Sequence, residues 1–332
     1  MTLRFRKSVK IIPGVRINFN KNSTSMTFGV RGAHVTMNNR GDIYRSVGIP
    51  GTGLYDVERT SGKARAAARA QQPALTMPPI TKVGLFAPAY MKAFAKIVGD
   101  LSPEKYGEFI EQFPDHALTP NLFSTTALVG KADTFEKGAK ILADSWARRE
   151  EIAKDDLFIK FSEAITVHVP ITPGLTVPMP FTIKALGLIY AEILQAQQKY
   201  TEALAVLAEL DTDIDVQIST AEVELQLGQY DEVIDTTEGV TNEDDGTAIL
   251  LIFRGIAMRE QGNFEAAIEE FKLARAKKSN HSEVLNKALF ERGVTYQKMK
   301  KTALAIKDFE KILVSDGSYE GVKEKLAELK KE

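Results

Sequence analysis

The chain has 332 residues, 44% hydrophobic and 26% charged, the balance of a soluble globular protein of two or three domains. It has no cysteine, which excludes disulfides, thiol catalysis and cysteine-ligated zinc or iron–sulfur centres and suits a cytoplasmic location. The formal charge of −1 conceals an asymmetry: residues 1–70 carry 13 Lys/Arg against 3 Asp/Glu, and the remainder 30 against 41. A head of net +10 on a body of net −11 implies an acidic partner or docking between the two halves.

Taken in order, residues 1–60 alternate in polarity. Val15, Ile17 and Phe19 alternate with Arg16, Asn18 and Asn20, and Met26, Phe28 and Val30 with Thr27, Gly29 and Arg31. Period-two alternation sorts side chains onto opposite faces of a strand. Pro13-Gly14, Arg31-Gly32 and Asn38-Asn39-Arg40-Gly41 punctuate the runs as turns. The pattern predicts an antiparallel β-meander of about four strands with one apolar and one basic face. So small a sheet has little core of its own, and its apolar face needs a cover. Arg4, Arg6, Lys7, Lys10, Arg16, Arg31, Arg40 and Arg45 are the candidate basic-face contacts, to phosphates or to the acidic body. Gly48-Ile49-Pro50-Gly51-Thr52-Gly53 reads as a structural turn, because no helix with a Lys-Ser/Thr pair follows it as a P-loop requires.

Residues 61–83 form a helix/proline linker: an Ala- and Arg-rich stretch from Lys63 is broken by Pro73, Pro78 and Pro79. Residues 84–180 read as a helical middle region. Ser102-Pro103-Glu104 is an N-cap with proline in the first turn, and a long helix is expected from about Thr134 through Ile165. Four prolines in 167–180 then impose an extended loop or an edge hairpin. The most apolar helical candidate, Val83 to Val98, carries Pro88, Lys92 and Lys96 and falls short of the ~20 residues that span a bilayer, so no membrane span is expected.

Residues 181–332 show an internal period. Ala203, Val233, Ala267 and Ala305 follow one another at 30, 34 and 38 residues. Twelve residues before each stands a small residue, Ala191, Ala221, Gly255 or Gly293, that lets two helices approach closely. Between them lie turns at Gln198-Lys199, Gly228-Gln229, Gly262-Asn263 and Lys300-Lys301; the two glycines supply left-handed helix stops. The run Gly262-Asn263-Phe264-Glu265-Ala266-Ala267-Ile268-Glu269-Glu270-Phe271 with Ala274 resembles a tetratricopeptide repeat. Units fall at about 184–217, 214–247, 248–281 and 286–319, the last without the turn glycine, and a capping helix closes the stack. The resemblance implies a groove lined by the first helix of each hairpin. By position its members are Glu192, Gln195, Glu222, Leu225, Ile256, Arg259, Phe290, Val294 and Gln297, with Leu188, Ile218 and Ile252. For Ile218 and Ile252, packing between repeats is the better reading. Glu192, Glu222 and Arg259 stand out, since charges on such a face have no evident packing role.

The segment Arg4-Phe5-Arg6-Lys7-Ser8-Val9-Lys10-Ile11-Ile12-Pro13-Gly14, continued by Gly29-Val30-Arg31-Gly32 and closed by Gly48-Ile49-Pro50-Gly51-Thr52-Gly53-Leu54-Tyr55, resembles the family known as domain of unknown function 4236 over about residues 3–57. The resemblance implies a bacterial or phage origin and gives no mechanism. The four histidines have no metal-like spacing and no catalytic motif occurs. The fold class is therefore α+β, a basic meander followed by a helical body ending in an α-solenoid. The expected function is a non-catalytic adaptor, without cofactor or metal. Its repeats hold an unidentified partner protein, and its N-terminal sheet self-associates into a homo-oligomer or docks. The alternative is nucleic-acid binding through the basic sheet.

Overall fold

The structure is a computed structural model that describes residues 83–98, 102–128, 135–172, 175–277, 279–317, 319 and 321–330. Over residues 6–60 it describes strand segments alone, so the candidates Arg4, Arg6, Lys7, Lys10, Arg16, Arg31, Arg40 and Arg45 lie outside the described side chains, as does nearly all of the linker.

The described body is mostly helical. Its middle region contains α1 (Ala89–Ile97), α2 (Pro103–Gln112), α3 (Leu118–Leu128), α4 (Phe135–Ala147), α5 (Arg149–Ile152) and α6 (Asp156–Phe161). The long helix expected to end near Ile165 is thus three helices. The last break has a local cause: the Asp155 carboxylate accepts from the Leu157 and Phe158 N–H groups at 2.8 and 3.3 Å and starts a new helix. Hydrophobic periodicity continues across that break and cannot reveal it. The region closes on an aromatic core. Phe94 lies 5.3 Å from both Phe109 and Phe161 in edge-on geometry, and Phe123 stacks on Phe181 at 5.3 Å.

Of the two forms left open for the proline-rich stretch, the chain adopts the hairpin. Strand β1 (Thr166–Thr172) pairs antiparallel with β2 (Leu175–Pro180), with Val167 opposite Met179 and Val169 opposite Val177. Val169, Ile171 and Met179 are buried, while His168, Pro170 and Pro178 face outward.

Eight helices then pair in sequence: α7 (Ile183–Ala196) with α8 (Tyr200–Leu207), α9 (Ile214–Leu227) with α10 (Tyr230–Thr236), α11 (Asp245–Glu260) with α12 (Phe264–Ala274), and α13 (Ser282–Lys298) with α14 (Thr302–Ser315). Helix α15 (Val322–Leu329) covers the end of α14, burying Val322, Leu326 and Leu329. The small residues of the sequence period have a direct structural meaning. A Cβ added to Gly255 would lie 2.6 Å from the Phe271 ring, and one on Gly293 would lie 2.7 Å from Phe309. The turns are equally regular: Gln198, Gly228, Gly262 and Lys300 hold φ of 61°, 73°, 86° and 57°. The first helix of each pair therefore ends in the same left-handed residue, with or without glycine. The described body is a helical, repeat-like stack.

Candidate protein-binding groove

The first helices α7, α9, α11 and α13 pack on one another in succession, and each second helix packs on the first helix of the next pair. The first helices thus present one continuous face. Its N-terminal half is covered from within the chain. Strand β1 packs on α7 and α9, the Ser219 hydroxyl donates to the Ile171 carbonyl at 3.3 Å, and the Thr172 hydroxyl donates to Glu222 at 2.9 Å.

Where the hairpin ends, the face opens into a shallow cleft of about 300 Å³ between α9, α11 and α13. Glu222, Leu225, Ile256 and Arg259, four of the positions picked from the sequence, line it together with Tyr230, Phe253, Lys287 and Glu291. Gln195 donates to Glu192 at 3.0 Å on α7, and neither lines the cleft. Phe290 lies 5.6 Å from Phe309 and 5.9 Å from Tyr319, and it packs with Val294 into the separate core of the last hairpin, so neither lines the cleft; Gln297 does not line it either. Leu188, Ile218 and Ile252 are fully buried and pack the stack.

The electrostatics divide the cleft in two. On the α11–α13 side Arg259 is buried and paired twice: it donates to Glu291 at 2.6 Å and to Glu260 at 2.9 Å, and Glu260 holds Lys298 at 2.6 Å. Burial disfavours the guanidinium charge, but Glu291 and Glu260 more than offset it and raise its pKa. A charge on this face therefore does have a packing role at position 259: it ties α11 to α13. On the hairpin side, no described cation lies within ion-pairing distance of Glu192 or Glu222. Burial, then repulsion from Glu222, pushes the Glu192 carboxyl well above the usual carboxylate range; burial also raises Glu222, against the pull of Lys287 and Thr172. The Lys287 ammonium sits 4.9 Å above the Phe253 ring.

Sequence reasoning missed Tyr230, Phe253, Lys287 and Glu291. Phe253 adjoins the chosen Ile252, and a shift of one position on the helix would have found it. Lys287 had no signal, because its place depends on how α13 stacks against α11. Among the described residues no group of acidic or histidine side chains is arranged to hold a metal ion, and no helix is long and apolar enough to cross a membrane. His116 stacks on Tyr90 at 3.6 Å and His281 pairs with Asp245.

The described architecture is similar to that of the N-terminal domain of the EccA1 ATPase from the ESX-1 secretion system of Mycobacterium tuberculosis. The TM-score is 0.54 at 13% identity, over 73% of this chain and 88% of that one. That likeness is one of fold. BtubC (BKLC) from P. vanneervenii aligns over 74% of this chain and 93% of its own with a TM-score of 0.35 and 16% identity. No curated protein matches. Residues 3–57 match the family described as "Protein of unknown function (DUF4236)".

Proposed function

We propose that this protein is a non-catalytic cytoplasmic adaptor whose tetratricopeptide-like hairpins hold a partner protein in the cleft between α9, α11 and α13. One observation carries the reading. A face built from successive first helices is already used to seat extended chain, the β1–β2 hairpin, and the cleft beyond it joins apolar surface at Leu225 and Ile256 to polar groups at Lys287 and, at the hairpin's margin, Glu222. Such a mixture suits recognition of a peptide segment. The N-terminal part of the reading is a basic meander in residues 1–60 that self-associates or docks. Its support is pairing in chain order of strands Arg6–Ile12, Val15–Asn20, Ser23–Phe28, Ala33–Asn38, Ile43–Gly48 and Tyr55–Thr60.

The test is affinity capture on the full chain, on a chain lacking residues 1–60, and on an Ile256→Arg/Lys287→Glu variant. A partner retained by the first two and lost at least about tenfold by the third is the expected result, one tenfold step being about 1.4 kcal/mol of binding. Capture that is indifferent to the cleft variant sinks the groove reading. The charge of residues 1–70 keeps one rival, nucleic-acid binding by the basic sheet. It requires a gel shift that weakens steeply with salt and on charge reversal of Arg4, Arg6 and Lys7.

A further inference from the structure

The helical stack matches its poorly exposed acids from within. Glu270 pairs with Arg254 at 2.6 Å, Glu291 with Arg259 at 2.6 Å and Asp308 with Arg292 at 2.7 Å, and none of these three carboxylate side chains is more than 17% exposed. A charge drawn out of water without a partner is costly, so such pairing is what packing asks for. Glu192 and Glu222 depart from it. No described cation lies within ion-pairing distance of either, and the two stand close enough to repel each other. Glu224 also lacks a described cation, but it meets Thr236 of α10 and does not line the cleft.

The polar contacts of the two acids leave most of their capacity unused. Gln195 donates one hydrogen bond to Glu192 at 3.0 Å, and the Thr172 hydroxyl donates one to Glu222 at 2.9 Å. An ionised carboxylate offers about four acceptor sites. The Lys287 charge acts on Glu222 from α13, but the two form no ion pair, and the ammonium lies 4.9 Å above the Phe253 ring. Burial outweighs that pull and still raises the Glu222 carboxyl. The surroundings say what kind of cation suits it. No group of three or more acidic or histidine side chains among the described residues is arranged to hold a metal ion. Glu222 instead lines the cleft beside Leu225, Phe253 and Ile256. Apolar walls beside a carboxylate fit a long basic side chain, whose methylene stem packs while its head stays charged.

We propose that the partner segment held in the cleft is basic, and that one of its Lys or Arg side chains lies along Leu225 and Ile256 and seats its charge on Glu222, with Glu192 as the neighbouring acid. This rests on the groove reading above and narrows it from a peptide to a cationic one. A cleft of about 300 Å³ is at the small end of the ~300–1,000 Å³ of ligand pockets, which suits one anchoring side chain. The arriving cation offsets the repulsion between Glu192 and Glu222 and favours the ionised form of both. An acidic side chain at the same place meets Glu222 and is rejected. Long-range charge acts in the same sense, since the chain beyond residue 70 carries 30 basic against 41 acidic residues.

Selection of random heptapeptides displayed on phage tests it, with the full chain as target and the Ile256→Arg/Lys287→Glu chain as counter-selection. The enriched sequences are expected to share a Lys or Arg at one position. A synthetic peptide of the most enriched sequence should lose at least about tenfold in affinity when that residue becomes norleucine, which keeps a stem and removes the charge. Glu222→Gln in the protein, which keeps an acceptor for Thr172, should cost a similar factor. The two changes together should cost no more than either alone, because they remove one and the same contact. Enriched peptides without a shared basic residue overturn the proposal and leave the groove reading standing. So does a basic residue whose contribution is unchanged by Glu222→Gln. Selection that enriches nothing over the counter-selected chain removes the groove reading and this inference with it.

Discussion

The two C-terminal helix pairs and the two that precede them solve one packing problem in opposite ways. In α11–α12 and α13–α14 a glycine on the first helix faces a phenylalanine sixteen residues later, Gly255 with Phe271 and Gly293 with Phe309. In α7–α8 and α9–α10 the same positions hold Ala191 with Leu207 and Ala221 with Thr237, all buried. A ring needs the room that a missing Cβ leaves; a smaller side chain does not. Between the Gly/Phe pairs and Ala191 with Leu207 the combined volume is nearly kept and its partition is not, as expected of a closely packed interior, while Ala221 with Thr237 is a smaller pair. The Gly/Phe pairs carry a further bracket. Arg254 joins the Thr237 carbonyl and Glu270, each at 2.6 Å, and Arg292 grips Asp308 with two bonds of 2.7 Å.

The largest effect that tests this comparison is at its bulkiest member. Phe309→Ala removes a fully buried ring and is expected to cost about 3–5 kcal/mol in urea unfolding. Gly293→Ala, which places a methyl group against the ring, is expected to cost about 1–3 kcal/mol even though alanine is the better helix former. Combining Gly293→Ala with Phe309→Leu recreates the α7–α8 solution. The double variant should be more stable than the two single costs predict, by about 1 kcal/mol or more of coupling. Simple additivity would show that the two positions do not share one packing volume.

A smaller effect separates the second pair from the other three. Three residues after the small position stand Leu194, Met258 and Tyr296, but the second pair has Glu224. It is buried, with the Thr236 hydroxyl at 3.5 Å as its side-chain partner, and burial raises its pKa from 4.5 to about 7. The folded state thus holds a proton that the unfolded state has lost between those two values. Stability from this group is intact below about pH 4.5, falls as pH rises to 7, and stays low above. Glu224→Gln is expected to gain about 1–3 kcal/mol at pH 8 and little at pH 4.5. An equal gain at both pH values would remove the carboxyl as its source.

These contrasts also mark what could be read without coordinates. The four small positions and four anchor positions were legible because close approach of two helices leaves a periodic trace in residue size. The hairpin was legible only as a choice of two forms, since four prolines exclude helix without fixing a pairing. The groove was half legible. Position along α9 and α11 picks out Glu222, Leu225, Ile256 and Arg259, but the bond from Thr172 to Glu222 depends on β1, which belongs to another segment. Phe290 and Val294 show the same limit: facing the groove by period, they are drawn into the terminal core by Tyr319 and Phe309. The pairing of Arg259 with Glu291 spans two helix pairs, and nothing in either helix announces it.

The smallest expected effect lies in the turns, where the comparison changes sides. The middle two pairs end their first helix on Gly228 and Gly262; the outer two use Gln198 and Lys300 in the same left-handed region, at φ of 61° and 57°. A side chain there costs about 1–2 kcal/mol, which glycine avoids, while glycine gives back part of the gain through a freer unfolded chain. Lys300 is exposed and makes no ion pair among the described residues, so its replacement breaks none of the described side-chain contacts. Lys300→Gly is therefore expected to stabilise by about 0.5–1 kcal/mol, and Gln198→Gly by a similar amount, while Gly262→Lys should cost the reverse. The urea midpoint at constant slope is the measure. If Lys300→Gly destabilises, the terminal turn is not the one used by Gly262, and the regular stop shared by all four pairs fails at its last member.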